Sequence, residues 1–205
     1  MVHDPRFLFP NSQLPIPPDY LYWEFQRTKI ESEAMKHIYV AATGQHVGKT
    51  TSTLGLVANL LEQGFKTGYC KPVGQKFVSF DDMIADKDAV LFGKVIGFDV
   101  DPAIHSPVII GQGVTKAYIE DPNQFQFEEA IDFAATELGK QYEVVVYEGT
   151  GHPGVGTVCE LSNATVAKRL QAGVIMIVEG GIGRTIDKLN MCLSLFQAND
   201  VPLIG

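Results

Sequence analysis

The chain has 205 residues and a formal net charge of −8, with 45% hydrophobic and 20% charged residues. These values are typical of one globular domain with a buried core. The acidic charge, with no basic stripe to offset it, argues against general nucleic-acid binding. We expect no membrane span, because no apolar stretch approaches the ~20 residues that one needs. Three cysteines without metal or disulfide spacing favour a reducing, cytoplasmic location.

The first 35 residues differ from the rest of the chain, because prolines and aromatic side chains alternate there. They include Pro5, Pro10, Pro15, Pro17 and Pro18, with Phe7, Phe9, Tyr20, Tyr22, Trp23 and Phe25 among them. Disordered segments are usually poor in aromatic residues. We therefore interpret residues 1–35 as an arm, with a short charged helix predicted at 28–36. Two roles stay open: an extended arm lying across its own domain, or a docking arm for a partner or a sister subunit.

From Lys36 onward, apolar runs alternate with amphipathic stretches. The runs predict strands at 38–42, 67–70, 144–147 and 174–178, and a further strand beginning at 201–204. The amphipathic stretches predict helices at 50–63, 86–92, 128–138, 163–170 and 185–196. Residues 99–127 lack clear periodicity and predict loops with one strand at 108–110. This order predicts an α/β domain over residues 36–205, with three α/β/α layers around a mainly parallel sheet. Because a strand begins just before Gly205, we expect this domain to be truncated at its C-terminus.

The strongest motif is ATGQHVGKTT at residues 42–51, between a predicted strand and a predicted helix. It matches the P-loop pattern GxxxxGK[ST] except at the first position, where Thr43 replaces glycine. A loop at a helix N-terminus directs backbone N–H groups and the helix dipole at a phosphate. The sequence therefore predicts a P-loop NTPase that binds ATP with Mg²⁺. The predicted nucleotide-binding residues are Gly44, Gln45, His46, Val47, Gly48, Lys49, Thr50 and Thr51.

Three further polar residues follow predicted strands or begin a helix near the same edge of the sheet. Glu148 ends the strand at 144–147, and Lys71 follows the strand at 67–70. Ligands collect at the carboxyl ends of parallel strands. Asp88 at the start of a helix is placed to complete a Mg²⁺ site with Thr50 and Glu148. Judged from the residues alone, a surface glutamate, a solvated lysine and a helix-capping aspartate stay open as alternatives.

Together these motifs resemble the dethiobiotin synthetase branch of P-loop proteins, which includes the nucleotide domains of cobyrinic acid a,c-diamide synthases and BioD-like domains. The resemblance runs from about Lys36 to Gly205. The synthetase loop also has threonine where Thr43 stands. Residues 69–73, 86–90 and 148–151 are similar to its Lys-Pro-Val, aspartate-containing and Glu-Gly-Ala-Gly segments.

The resemblance implies roles for individual residues. Lys49 and Lys71 would be catalytic lysines that bind and stabilise phosphate, and Thr50, Asp88 and Glu148 would bind Mg²⁺. It also implies a homodimer with active sites near the subunit interface. The segment that binds adenine in this family would lie beyond Gly205.

The sequence departs from the synthetase pattern in the part that would bind the substrate. Gly74, Gln75 and Lys76 stand where the synthetase has a small residue and a serine that help bind the diamino acid. Residues 152–156, HPGVG, replace a glycine-rich segment that ends in Val-Pro. The phosphate-binding half is kept and the substrate half is changed.

Three functions follow from this pattern. The first is an ATP-dependent ligase that activates a carboxylate or a carbamate by phosphorylation. Its substrate would be a small molecule, an unknown carboxylate or amine. The second is a nucleotide-binding regulatory or scaffold module that acts through a protein partner, which the changed substrate half and the N-terminal arm favour. The third, less favoured, is dethiobiotin synthetase itself.

Overall fold

The computed structural model describes residues 36–80 and 83–205, so the proposed arm and its helix at 28–36 lie outside the described residues apart from Lys36. The strands are β1 (His37–Ala42), β2 (Thr67–Cys70), β3 (Val73–Gly74), β4 (Phe77–Phe80), β5 (Met83–Asp86), β6 (Val108–Ile109), β7 (Val144–Glu148) and β8 (Gly173–Ile177). The α-helices are α1 (Lys49–Glu62), α2 (Lys87–Phe92), α3 (Pro102–His105), α4 (Val114–Glu120), α5 (Phe127–Gln141), α6 (Asn163–Arg169) and α7 (Gly183–Ala198).

The central sheet is parallel and has the strand order β2-β7-β1-β8. Val40 of β1 lies beside Glu148 of β7, and Cys70 of β2 lies beside Tyr147. The carboxyl ends of these three strands therefore meet at one edge. Because the loops that leave this edge carry the predicted site residues, the topology brings residues far apart in sequence into one place.

Alternating side chains divide the core between the two faces of the sheet. Tyr39, Val145 and Tyr147 pack on one face with residues of α5, α6 and α7. Val40 and Val146 pack on the other face with residues of α1 and α2. Helices thus cover both faces of the sheet, which confirms the predicted three-layer α/β/α fold with a mainly parallel sheet.

The predicted strands and helices of the central domain are confirmed, with shifts of a few residues at their ends. Residues 201–204 contribute one isolated bridge, Val174 to Leu203, instead of a strand. The prediction of loops with one strand for residues 99–127 was incomplete, because α3 and α4 lie there as well. The antiparallel hairpin β4–β5 was not predicted, since its strands are short and have no clear alternation.

None of the helices in the described part of the chain is long and apolar enough to cross a membrane.

Candidate functional site

The predicted phosphate-binding loop connects the end of β1 to the start of α1. Gly48 precedes α1 with φ +94°, a conformation that costs glycine little and other residues more. His46 also has a positive φ of 60°. The first-turn N–H groups of α1 have no partner within the helix, so they are available to an anion at this point.

Glu148 is the point where the predicted site residues meet. Its side chain is fully buried, and its Oε1 accepts hydrogen bonds at 2.8 Å from both Lys49 Nζ and Thr50 Oγ1. Lys71 Nζ lies 3.2 Å from the same oxygen and donates to Asp88 Oδ2 at 3.0 Å. Five predicted site residues from four segments of the chain therefore form one connected polar cluster.

Tyr69 holds the other oxygen of Glu148. Its hydroxyl donates to Glu148 Oε2 at 3.3 Å, and its ring stacks on Phe92 with centroids 3.6 Å apart. Burial, together with the charge of Glu148, raises the pKa of Tyr69 well above its usual value, so the hydroxyl keeps its proton and remains a donor. Sequence analysis did not identify Tyr69, because an aromatic residue in a predicted strand is typical of an ordinary buried core position.

Asp86 fixes the position of the Asp88 backbone through a hydrogen bond. As the residue that caps α2, it accepts the N–H of Asp88 at 2.8 Å through Oδ1, and the N–H of Lys76 at 3.4 Å through Oδ2. A Cβ atom at Gly74 would lie 2.4 Å from Asp86 Oδ2, so only glycine fits there. The glycine that follows Lys-Pro-Val thus makes room for a buried carboxylate, a role that the sequence alone did not reveal.

Asn163 at the start of α6 secures the loop that follows β7. Its Nδ2 donates to the carbonyl oxygens of Thr150 and His152 at 2.8 and 2.7 Å. Its Oδ1 accepts the Thr150 N–H at 3.0 Å and the Tyr39 hydroxyl at 2.8 Å. The backbone just after Glu148 is therefore held by one buried amide, which sequence analysis also missed.

The pKa values of the two central lysines shift in opposite directions. Burial lowers the pKa of Lys49, and the nearby positive charge of Lys71 lowers it further. Burial also acts to lower the pKa of Lys71, but Glu148 and Asp88 outweigh it and raise that pKa. Because two ammonium groups share one carboxylate oxygen, an additional anion beside Lys49 would stabilise its charged form.

A pocket of about 330 Å³ opens above this cluster. Most of the predicted site residues line it, but Val47 does not, and Glu148 lies beneath it rather than on its wall. The lining residues are Gly44, Gln45, His46, Gly48, Lys49, Thr50, Thr51, Lys71, Gln75, Lys76, Asp86, Lys87, Asp88, Thr150 and Gly151.

The oxygen atoms of the cluster fit the ligands that Mg²⁺ prefers. Mg²⁺ is usually bound by one or two carboxylates, waters and substrate phosphates rather than by an all-protein cage. Thr50 Oγ1 and Glu148 Oε1 are 2.8 Å apart, and Lys71 connects Glu148 to Asp88. Residues 36–80 and 83–205 contain no group of three or more His, Cys, Asp and Glu side chains that could hold a metal alone. If Thr50, Asp88 and Glu148 held a Mg²⁺ ion, waters and phosphate oxygens would complete its coordination.

This protein has a P-loop NTPase fold. Its parallel sheet, the loop between β1 and α1, and the buried lysines are the features that define this class. A family model described as an AAA domain, AAA_26, matches residues 36–205. The chain therefore belongs to this family, and its sequence is similar to those of dethiobiotin synthetases.

Two curated relatives illustrate this relationship. An ATP-dependent dethiobiotin synthetase BioD from Aquifex aeolicus is 26% identical over 168 residues, which cover 82% of this chain and 73% of the relative. A probable cobyric acid synthase from Methanocaldococcus jannaschii is 22% identical over 174 residues, which cover 73% of this chain and 35% of the relative.

Among solved structures, the chimerical protein CapA2B2 superposes with a TM-score of 0.57 at 13% identity, covering 98% of this chain and 86% of that one. A match at this identity shows the fold alone. The fold and the family membership together indicate a nucleotide-binding protein, and they leave the substrate to be inferred from the pocket.

Proposed function

We propose that this protein is an ATP-dependent ligase that activates a carboxylate or a carbamate by phosphorylation. The observation that carries the proposal is the convergence of Lys49, Thr50 and Lys71 on one buried oxygen of Glu148. A phosphate-binding protein needs the lysine of the loop. A second buried lysine in the same cluster is suited to stabilising charge on a phosphoryl group in transfer.

In this proposal each group has a distinct role. Lys49 and the N-terminus of α1 bind the β- and γ-phosphates of ATP. Lys71 stabilises the charge that develops as an oxygen of the acceptor attacks the γ-phosphorus and the bond to the β-phosphate oxygen breaks, releasing ADP. Thr50, Asp88 and Glu148 would hold Mg²⁺, which supplies positive charge to the phosphates. Catalysis is then mainly positioning and charge stabilisation.

Similarity to synthetases also supports a homodimer as the working form. Light scattering of the purified chain measures its mass directly, and a monomer with full activity would contradict this part of the proposal.

The decisive experiment traps the phosphorylated intermediate. The full chain is incubated with Mg·ATP, hydroxylamine and a panel of carboxylic acids, and both ADP and hydroxamate are measured. Hydroxylamine attacks an acyl phosphate, releases phosphate and leaves a stable hydroxamate. We expect ADP and hydroxamate to form in equal amounts with one class of acid.

Two variants make this assay specific. Lys71→Met removes the second lysine and should abolish hydroxamate formation, whereas Lys116→Met removes a lysine whose side chain is 81% exposed and should have no effect. The ligase hypothesis would be contradicted if no acid stimulated ADP release and if the two variants released ADP at equal rates. That result would favour the regulatory alternative.

A parallel incubation tests biotin synthesis itself. It replaces the acids by bicarbonate and the diamino acid precursor of dethiobiotin. Stimulated ADP release that Lys49→Ala abolishes would identify the protein as a dethiobiotin synthetase, and no stimulation would exclude this substrate.

A further inference from the structure

The pocket contains two lysines that the proposed phosphate chemistry does not use. Lys76 precedes β4 and Lys87 follows β5, and both line the pocket with Gln75. Phe77 pairs with Asp86 in the hairpin, and the Lys87 N–H donates to the Lys76 carbonyl oxygen at 2.8 Å. The two lysines therefore stand opposite each other at the base of the hairpin.

This arrangement is unfavourable unless an anion lies nearby, because like charges placed directly opposite each other across two strands destabilise the pair. Among the described residues, the nearest acidic partner of Lys87 Nζ is Asp88 Oδ1 at 3.9 Å, and the other oxygen of Asp88 already binds Lys71 at 3.0 Å. Within residues 36–80 and 83–205, Lys76 has no ion-pair partner.

The adjacent carboxylate of Asp86 does not contact either ammonium. Its oxygens face inward and accept the backbone N–H groups of Asp88 and Lys76. A chain with a net charge of −8 thus presents two lysines at one pocket, Lys87 with one long contact to Asp88 and Lys76 with no ion-pair partner among the described residues. Four lysines and two aspartates line the pocket, so positive side chains outnumber negative ones there and favour an anionic ligand.

The position of these lysines separates them from the proposed triphosphate site. The side chains of Lys49 and Lys71 are 10% and 4% exposed, and they lie at the buried cluster around Glu148. The Lys87 side chain is 52% exposed, and Lys76 is exposed as well.

We propose that Lys76 and Lys87, with Gln75, form an anion subsite that binds an acidic group of the acceptor substrate. Taking the ligand to be the acceptor rests on the proposed function. The substrate class is then a compound with two acidic positions: one receives the phosphoryl group, and the other, a carboxylate or a phosphate monoester, is held by the hairpin lysines.

The test measures binding in the full chain saturated with Mg²⁺ and a non-hydrolysable ATP analogue. Calorimetry follows the titration of glutarate, a dicarboxylate, and of 3-phosphoglycerate, which carries one carboxylate and one phosphate. The affinity for the ATP analogue is measured separately. The variant Lys76→Met/Lys87→Met is compared with Lys116→Met/Lys140→Met, which removes the same charge from two exposed surface lysines.

We expect at least one probe to bind, and the hairpin variant to weaken it by about tenfold or more, since charge-assisted hydrogen bonds are lost. The ATP analogue should bind both variants with nearly equal affinity. Preference for glutarate would identify the acidic group as a carboxylate, and preference for 3-phosphoglycerate would identify it as a phosphate.

Three results would overturn the subsite. The first is no binding of either probe to the unmodified chain, and the second is equal binding by the two variants. The third is an equal loss of ATP-analogue affinity in the hairpin variant, which would assign these lysines to the nucleotide. A protein that fails to bind the ATP analogue at all would refute the proposed function instead, so the two failures can be distinguished.

Discussion

Two pairs of lysines line the same pocket, and their surroundings differ. Lys49 and Lys71 are buried, and each lies within 3.2 Å of a carboxylate oxygen. Lys76 and Lys87 are exposed, and the shortest distance from either ammonium group to a carboxylate oxygen is 3.9 Å among the residues that the structure describes. The buried pair is held by short contacts with carboxylates, whereas the exposed pair has one long contact, from Lys87 to Asp88, among the described residues.

This difference predicts how substitutions act. Changes in the buried cluster should lower both stability and nucleotide turnover, because the same contacts serve both. Changes at the hairpin should alter ligand binding and leave stability nearly unchanged. The first three predictions below test the buried side of this comparison, and the fourth tests a buried carboxylate beside the cluster. They run from the largest expected effect to the smallest.

Replacing Glu148 by glutamine should have the largest effect. It removes the charge that Lys49 and Lys71 share in a fully buried position, and breaking a buried ion pair typically costs about 3–5 kcal/mol. We expect the free energy of unfolding in denaturant to fall by about this amount, and turnover of Mg·ATP to be lost.

The matched control is Glu120→Gln, at a glutamate whose side chain is 66% exposed and which pairs with Lys116 at 3.7 Å. Exposed pairs of this kind contribute about 0–1 kcal/mol. Equal stability of the two variants would show that Glu148 is not the centre of the cluster.

Asn163→Ala should be the second largest change. The amide makes four hydrogen bonds with the loop after β7 and with Tyr39, and a buried group left without its partner costs about 1–3 kcal/mol. We expect about 3 kcal/mol less stability, together with faster hydrogen exchange of the Thr150 N–H.

Asn199→Ala serves as the comparison, because the amide of Asn199 donates only to the Leu195 carbonyl oxygen among the described residues. It should cost well under 1.5 kcal/mol. A Thr150 N–H that exchanges at the same rate in Asn163→Ala as in the unmodified chain would exclude the proposed role of Asn163 in holding the loop.

These two positions also show what sequence reasoning can reach. Glu148 was predicted, because an apolar strand that ends in an acid at the ligand edge of a parallel sheet is a local pattern. Asn163 was missed, because its function depends on a contact with residues 11 and 13 positions earlier along an irregular loop. Nothing in its own neighbourhood distinguishes it from any residue that begins a helix.

The hairpin was missed for a related reason. Strands β4 and β5 are each four residues long and place Phe77, Val78, Met83 and Ile84 in exposed positions, so the usual alternation of buried and exposed residues is absent. Local sequence predicted the α/β layers and the phosphate loop well. It could not predict which side chains the hairpin brings to the pocket.

Tyr69→Phe should have a smaller effect that separates stability from positioning. The ring and its stacking on Phe92 remain, and only the hydrogen bond to Glu148 Oε2 is lost. We expect about 1 kcal/mol less stability and a lower kcat for nucleotide turnover, with the affinity for the nucleotide almost unchanged.

Tyr147→Phe provides the matched control on a neighbouring strand. The Tyr147 hydroxyl is buried without a hydrogen-bond partner in the described part of the chain. Removing it should leave stability the same or slightly higher, because a buried polar group without a partner is unfavourable. If both variants lost equal stability and kept full kcat, Tyr69 would have no positioning role.

Asp86→Asn should produce the smallest change, and its sign should depend on pH. Burial raises the pKa of Asp86 above its usual value of 3.8. Between 3.8 and the raised value, the folded chain binds more protons than the unfolded chain at this residue. The stability contributed by Asp86 therefore falls as pH rises through that window.

Asparagine caps a helix about as well as aspartate and carries no charge to bury. The variant should equal the unmodified chain in stability below the window and be more stable than it above the window, as measured by urea unfolding of the nucleotide-free protein at several pH values. If Asp86→Asn were less stable than the unmodified chain above the window, the ionised carboxylate of Asp86 would be favourable in the folded state. The attraction between the Asp86 carboxylate and Lys71 would then exceed the cost of burying that carboxylate. Asp86 would join Asp88 and Glu148 as an ionised carboxylate that stabilises Lys71.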